Sequence, residues 1–205
     1  MAIEYVYGVS LEFFFFALFQ IIANILLILA GLRNRGKLRL SYMLVAAGIL
    51  NIVHVITLFF MPYLTLKGSS LSTQQTYELQ AYYINMGLWR YLVPILTYGV
   101  FLLIIGFYNR DHSGFLLMAS AIGFITYGIV MIRTNYAIFE FLNAGLPLFT
   151  VFLYFYMGMF IGILAAMLLV LYGLRTKEFN ILTSGIVVLI SAILVIMLPS
   201  SVIVY

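Results

Sequence analysis

The chain is 205 residues long, 65% hydrophobic and only 8% charged, with a formal net charge of +4 and no cysteine. A soluble domain carries about a quarter charged residues. This much apolar surface has no soluble core large enough to hold it, so the solvent is lipid. The missing thiols exclude disulfides, iron–sulfur clusters and thiolate metal sites, and the basic residues lie in short turns rather than in the stripe or patch a nucleic acid would need.

Met1–Ser10 carries Glu4 and no basic residue, unlike the positive start of a cleavable signal peptide. The run Phe13–Leu32 is therefore expected to remain as a first span, at about 11–32. It is apolar except for Gln20, Asn24 and Gly31, and Arg33 and Arg35 favour the negative end of its helix dipole. The basic turn continues through Lys37 and Arg39, and a second span returns over about 40–62, stopped near Pro62. Each run meets the requirement of about 20 apolar residues for crossing a bilayer. Lys67–Gln80 is polar, and Ser72 with Gln75 fits a capping box that starts a helix leading into the third span, about 86–108, kinked at Pro94. After the turn Asn109–Gly114 the fourth span covers about 115–132. The aromatic stretch Asn135–Pro147, with Glu140 and Asn143, reads as an interfacial or partly inserted helix. A fifth span, about 148–173, ends at a third basic turn with Arg175, Lys177 and Glu178, and a sixth, about 181–198, stops at Pro199.

The expected fold is thus all-α: one polytopic integral membrane domain, residues 1–205, with six transmembrane helices as three tandem hairpins at about 11–62, 86–132 and 148–199. One constant shift lays Gly31, Asn34, Arg35, Met43 and Gly48 on Gly106, Asn109, Arg110, Met118 and Gly123. Another lays Ala23, Gly31 and Arg33 on Ala165, Gly173 and Arg175, and a third lays Gly48 and Pro62 on Gly185 and Pro199. Transporters are often built from internal repeats. The turns after spans one, three and five hold Arg33, Arg35, Lys37, Arg39, Arg110, Arg175 and Lys177; the other face holds Lys67, Arg90 and Arg133. The positive-inside rule then puts those turns in the cytoplasm of a cell-membrane protein with both termini outside.

Polar groups inside the spans mark the places to look for function. In an antiparallel hairpin, Gln20 falls level with His54 and Asn24 with Asn51, and each pair on one helix shares a face. Either these four form a small pocket with His54 as its titrating group, or they are interhelical hydrogen bonds that hold the first hairpin together. A second constellation lies toward the outer face, where the repeat sets Arg90 level with Arg133, and Glu12 and Glu140 are the acids in reach. It is either a buried charge cluster able to hold an anionic headgroup or carboxylate, or a set of charges snorkelling to water.

No catalytic motif of the HExxH or GxSxG type and no paired intramembrane carboxylates occur. His54 is the only histidine within a span and His112 lies in the second turn at the opposite membrane face, whereas a bis-histidine haem needs two histidines at related depths. No metal site and no cofactor are expected. Gly158 and Gly162 form a GxxxG pair that lets another helix approach closely. The reading that follows is a non-catalytic membrane subunit or scaffold, partnered by the lipid bilayer and by other membrane subunits or itself, with no nucleic acid. A small transporter or channel with an outward-facing polar pocket is the first alternative, and a membrane enzyme or haem-binding subunit the second.

Overall fold

The computed structural model describes residues 2–6, 11–60, 63–67, 73–110, 113–145 and 147–197. Pro62, Ser72, His112 and Pro199, which enter the sequence argument, lie outside the described residues. The elements run β1 (Ala2–Val6), α1 (Leu11–Arg33), α2 (Tyr42–Phe59), β2 (Tyr63–Lys67), α3 (Thr73–Pro94), a π-helical segment (Ile95–Phe101), α4 (Leu102–Tyr108), α5 (Gly114–Ala144), α6 (Leu148–Thr176) and α7 (Phe179–Met197). Five helical stretches are long and apolar enough to cross a bilayer: Phe14–Arg33, Tyr42–Phe59, Gln74–Tyr108, Gly114–Phe141 and Leu148–Thr176. A shorter apolar helix, Phe179–Leu194, follows. The protein is therefore helical and compatible with a multi-pass membrane protein.

Two segments differ from the sequence reading. β1 and β2 pair antiparallel, Ala2 opposite Lys67 and Val6 opposite Tyr63, so a short ladder accompanies the helices. The second difference is at Asn135–Pro147, where no break separates an interfacial helix from the fourth span. α5 runs unbroken for 31 residues, about 46 Å at 1.5 Å per residue. The polar residues that suggested a break are accommodated within the helix. Asn135 Nδ2 donates to the Met131 carbonyl at 2.9 Å, and Arg133 reaches Glu140 two turns on. The helix stops at Gly145, whose φ of +68° is the left-handed cap that glycine adopts freely.

α1 packs on α2 and α7, α6 on α7 and α5, and α5 on α3, the π segment and α4; α2 meets the π segment, which closes the ring of helices. In lipid, close packing and hydrogen bonds hold helices together, so small residues belong where backbones meet. Ala23, Ala30, Ala121, Ala165 and Ala166 are all buried in the core with Leu27, Leu102, Ile105, Leu169 and Tyr172. A Cβ on Gly31 would stand 2.7 Å from Val45 Cγ2, one on Gly106 would stand 2.7 Å from Met118 Cγ, and one on Gly173 would stand 2.5 Å from Leu182 N. Gly158 faces Met131 and Val130 while Gly162 faces Tyr127, so the GxxxG pair is used inside the bundle against α5. Phe149, Phe152, Tyr156 and Phe160 on α6 are exposed.

The turn residues repeat one device. Asn34 Nδ2 donates to the Ala30 carbonyl at 2.9 Å, Asn109 Nδ2 to the Ile105 carbonyl at 2.7 Å, and Thr176 Oγ1 to the Tyr172 carbonyl at 2.8 Å. The Ala30 and Ile105 carbonyls also accept the backbone N–H of Asn34 and Asn109, so these side chains add a second bond at the helix end. The turns also hold one another. Asn34 Nδ2 donates to Glu178 Oε2 at 2.9 Å, Asn109 exchanges two hydrogen bonds with the backbone of Arg39, and Arg175 lies over the Phe115 ring at 5.6 Å.

Candidate functional site in the polar interior

Pro94 shapes the interior. Proline has no N–H, so the carbonyl four residues earlier, that of Arg90, loses its helical donor. The helix continues as a π segment over Ile95–Phe101, a wider turn that is rare and often sits at functional positions. His54 on α2, 5% exposed, lies with Nε2 3.2 Å from the Arg90 carbonyl. A carbonyl only accepts, so Nε2 carries the proton and donates.

Two consecutive residues of the π segment face α1 and α2. The Thr97 hydroxyl donates to Asn51 Oδ1 at 2.9 Å and lies 2.8 Å from the Val93 carbonyl. The Tyr98 hydroxyl donates to Asn24 Oδ1 at 2.8 Å, and Asn24 Nδ2 donates to the Gln20 carbonyl at 2.7 Å. Asn24, Asn51 and Thr97 are at most 2% exposed. Gln20 Nε2 donates across to Ser191 Oγ on α7 at 3.3 Å. Further along the bundle, Ser184 donates to the Ala23 carbonyl at 3.0 Å and Ser120 to the Ala165 carbonyl at 2.8 Å.

Gln20, Asn24, Asn51 and His54 therefore share the interior but reach outward from the first hairpin. Asn24, Asn51 and His54 bond to α3 and the π segment, and Gln20 bonds to α7. Two buried atoms in this region have no partner in the structure: Asn51 Nδ2, a donor, and His54 Nδ1, an acceptor once Nε2 holds the proton. They stand on residues one helical turn apart, with complementary chemistry.

Of the outer charges, Arg133 and Glu140 come together. Arg133 Nη1 pairs with Glu140 Oε2 at 3.0 Å, with side chains 42% and 28% exposed. Its guanidinium also lies 5.0 Å from the Tyr136 ring and 5.5 Å from the Tyr154 ring. Arg90 is half-buried on α3. Gly87 faces Asn135 and Gly128 faces Ile95, which keeps Arg90 and Arg133 at neighbouring depths. Glu12 belongs to α1, but its side chain lies outside the described residues.

The sequence reading missed Thr97, Tyr98, Ser120 and Ser184. Pro94 was the available signal, since a proline one turn before Thr97 and Tyr98 announces a disturbed backbone where hydroxyls find work. Among the described residues no three His, Asp or Glu side chains gather as metal ligands. Comparison with known protein families, with curated proteins and with solved structures finds no match for this chain.

Proposed function

We propose that the protein is a non-catalytic integral membrane subunit or scaffold, built as three tandem hairpins, with its basic turns in the cytoplasm and its termini outside. The observation that carries this reading is the use made of the interior polar groups. Asn24–Tyr98, Asn51–Thr97, His54–Arg90 and Gln20–Ser191 each tie one hairpin to another. Hydrogen bonds that cross between helices at this depth favour one fixed arrangement over sliding. The hairpin repeat is supported by Gly31, Gly106 and Gly173, each at a close approach to the next helix, and by the shared device at Asn34, Asn109 and Thr176. A rigid bundle with long aromatic outer faces suits a subunit that other membrane helices or a second copy pack against.

A transport reading has its own support. Broken helices near the midplane are where transporters bind cargo, and the π segment brings Thr97 beside Asn51, whose Nδ2 is unpartnered along with His54 Nδ1. The two readings part in one experiment. The protein is extracted from its native membrane in mild detergent, and the mass of the complex is measured by light scattering. A stable complex with a protein of different mass, or a defined oligomer, supports the subunit. A lone protein whose melting rises with a small polar solute overturns it in favour of transport.

A further inference from the structure

A cavity of about 390 Å³ opens at the turn face, lined by Asn34, Lys37, Ser113, Tyr172, Arg175 and Glu178 among others. That volume is within the range of small-molecule sites, roughly 300–1,000 Å³. Its walls are built from all three turns. Asn34, 2% exposed, fixes one wall through its bonds to Ala30 and Glu178. Tyr172, 1% exposed, lines the cavity from the core of the bundle. The Arg175 guanidinium rests on Phe115, the second residue of α5, which holds it beside the cavity.

Among the described lining residues two cations, Lys37 and Arg175, stand against one carboxylate, Glu178. Among the described residues the one ion pair is Arg133–Glu140, so neither Lys37 nor Arg175 has a carboxylate in salt-bridge range there. Glu178 turns an oxygen to Asn34 instead. Two cations, one able to present a planar fork and one a mobile point charge, thus flank a recess that Ser113 and Tyr172 also line. We propose that this cavity binds a phosphate-type oxyanion, with Lys37 and Arg175 as its charge partners and Ser113 and Tyr172 as hydroxyl donors. The oxyanion is carried by an anionic lipid headgroup or is free in solution. Basic pockets between membrane helices at the turn face recognise headgroups in this way, and charge-assisted bonds to an oxyanion are the strong kind. Glu178 sets the limit: it disfavours densely charged ligands.

The test uses two probes on the purified full chain. Melting is followed in a neutral detergent with inorganic phosphate against chloride at equal ionic strength. Native mass spectrometry then follows retention of phosphatidylglycerol against phosphatidylcholine from mixed micelles. Stabilisation by phosphate assigns a free oxyanion; selective retention of phosphatidylglycerol alone assigns the headgroup. In either case Lys37→Gln and Arg175→Gln should weaken binding roughly tenfold. Glu178→Gln, which keeps an acceptor for Asn34, should tighten it. Arg33→Gln removes an exposed turn charge outside the cavity lining and should change nothing. The proposal is overturned if neither probe is preferred over its control. It is equally overturned if Arg33→Gln weakens binding as much as Lys37→Gln, because the attraction is then diffuse surface charge.

Discussion

His54 and Pro94 should be thermodynamically coupled although neither is bonded to the other. Pro94 removes the N–H that the Arg90 carbonyl would have used, and His54 Nε2 supplies a replacement at 3.2 Å. His54→Leu leaves that carbonyl buried without a donor, which costs about 1–3 kcal/mol for an unsatisfied group. Hydrogen bonds between membrane helices average nearer 0.6 kcal/mol, because the alternative states usually find other partners. Here Pro94 removes the i+4 donor, so the loss should lie above that average, at about 1.5 kcal/mol. In a Pro94→Ala background the new N–H can serve the carbonyl, and His54→Leu should then cost less by about 1 kcal/mol. The orphaned Nδ1 is lost in both arms of the cycle and cancels. Reversible unfolding in mixed micelles, titrated with a denaturing detergent and followed by circular dichroism, reads all four proteins. Additivity within about 0.3 kcal/mol would mean that the histidine does not replace the proline's missing donor.

Three further substitutions probe separate contacts. Tyr98→Phe keeps the ring against Phe124, at 5.2 Å between centroids, but strands Asn24 Oδ1, and the same titration should record a loss of about 1–2 kcal/mol; an unchanged midpoint would show that Asn24 does not depend on this donor. Gly173→Ala places a Cβ 2.5 Å from the Leu182 backbone nitrogen and should push α6 from α7 at a cost of about 1–3 kcal/mol, seen as earlier thermal aggregation. Wild-type melting for that variant would contradict the close approach. Arg133→Gln breaks a pair that is 42% and 28% exposed and should cost about 1 kcal/mol or less; a loss above about 3 kcal/mol would mean a buried pair instead.

The long apolar helices were legible because apolar runs of membrane length leave few alternatives, and Gln20, Asn24, Asn51 and His54 stood out because polar side chains are costly in such runs. Their partners were not legible. The Arg90 carbonyl is backbone, available only because of a proline on another helix, and Thr97 and Tyr98 are ordinary residues for a span. The continuous α5 was hidden for a related reason. Asn135 and Glu140 look like the start of a wet segment, yet Asn135 bonds back along the helix and Glu140 meets Arg133. Composition weighs each residue alone, whereas these outcomes depend on what lies one or two turns away. Lys37 and Arg175 were legible as orienting charges, but the cavity beside them arises from the packing of the turns.

The hairpin architecture itself is open to a direct measurement, since the chain has no native thiol. Single cysteines at Ser10→Cys, Gly36→Cys, Ser70→Cys and Ser113→Cys sample the two faces. With a membrane-impermeant thiol reagent on intact cells, Ser10→Cys and Ser70→Cys should label, and Gly36→Cys and Ser113→Cys should label only after permeabilisation. Labelling of Gly36→Cys on intact cells, or of Gly36→Cys and Ser113→Cys from opposite sides, would contradict three hairpins whose basic turns share the cytoplasmic face.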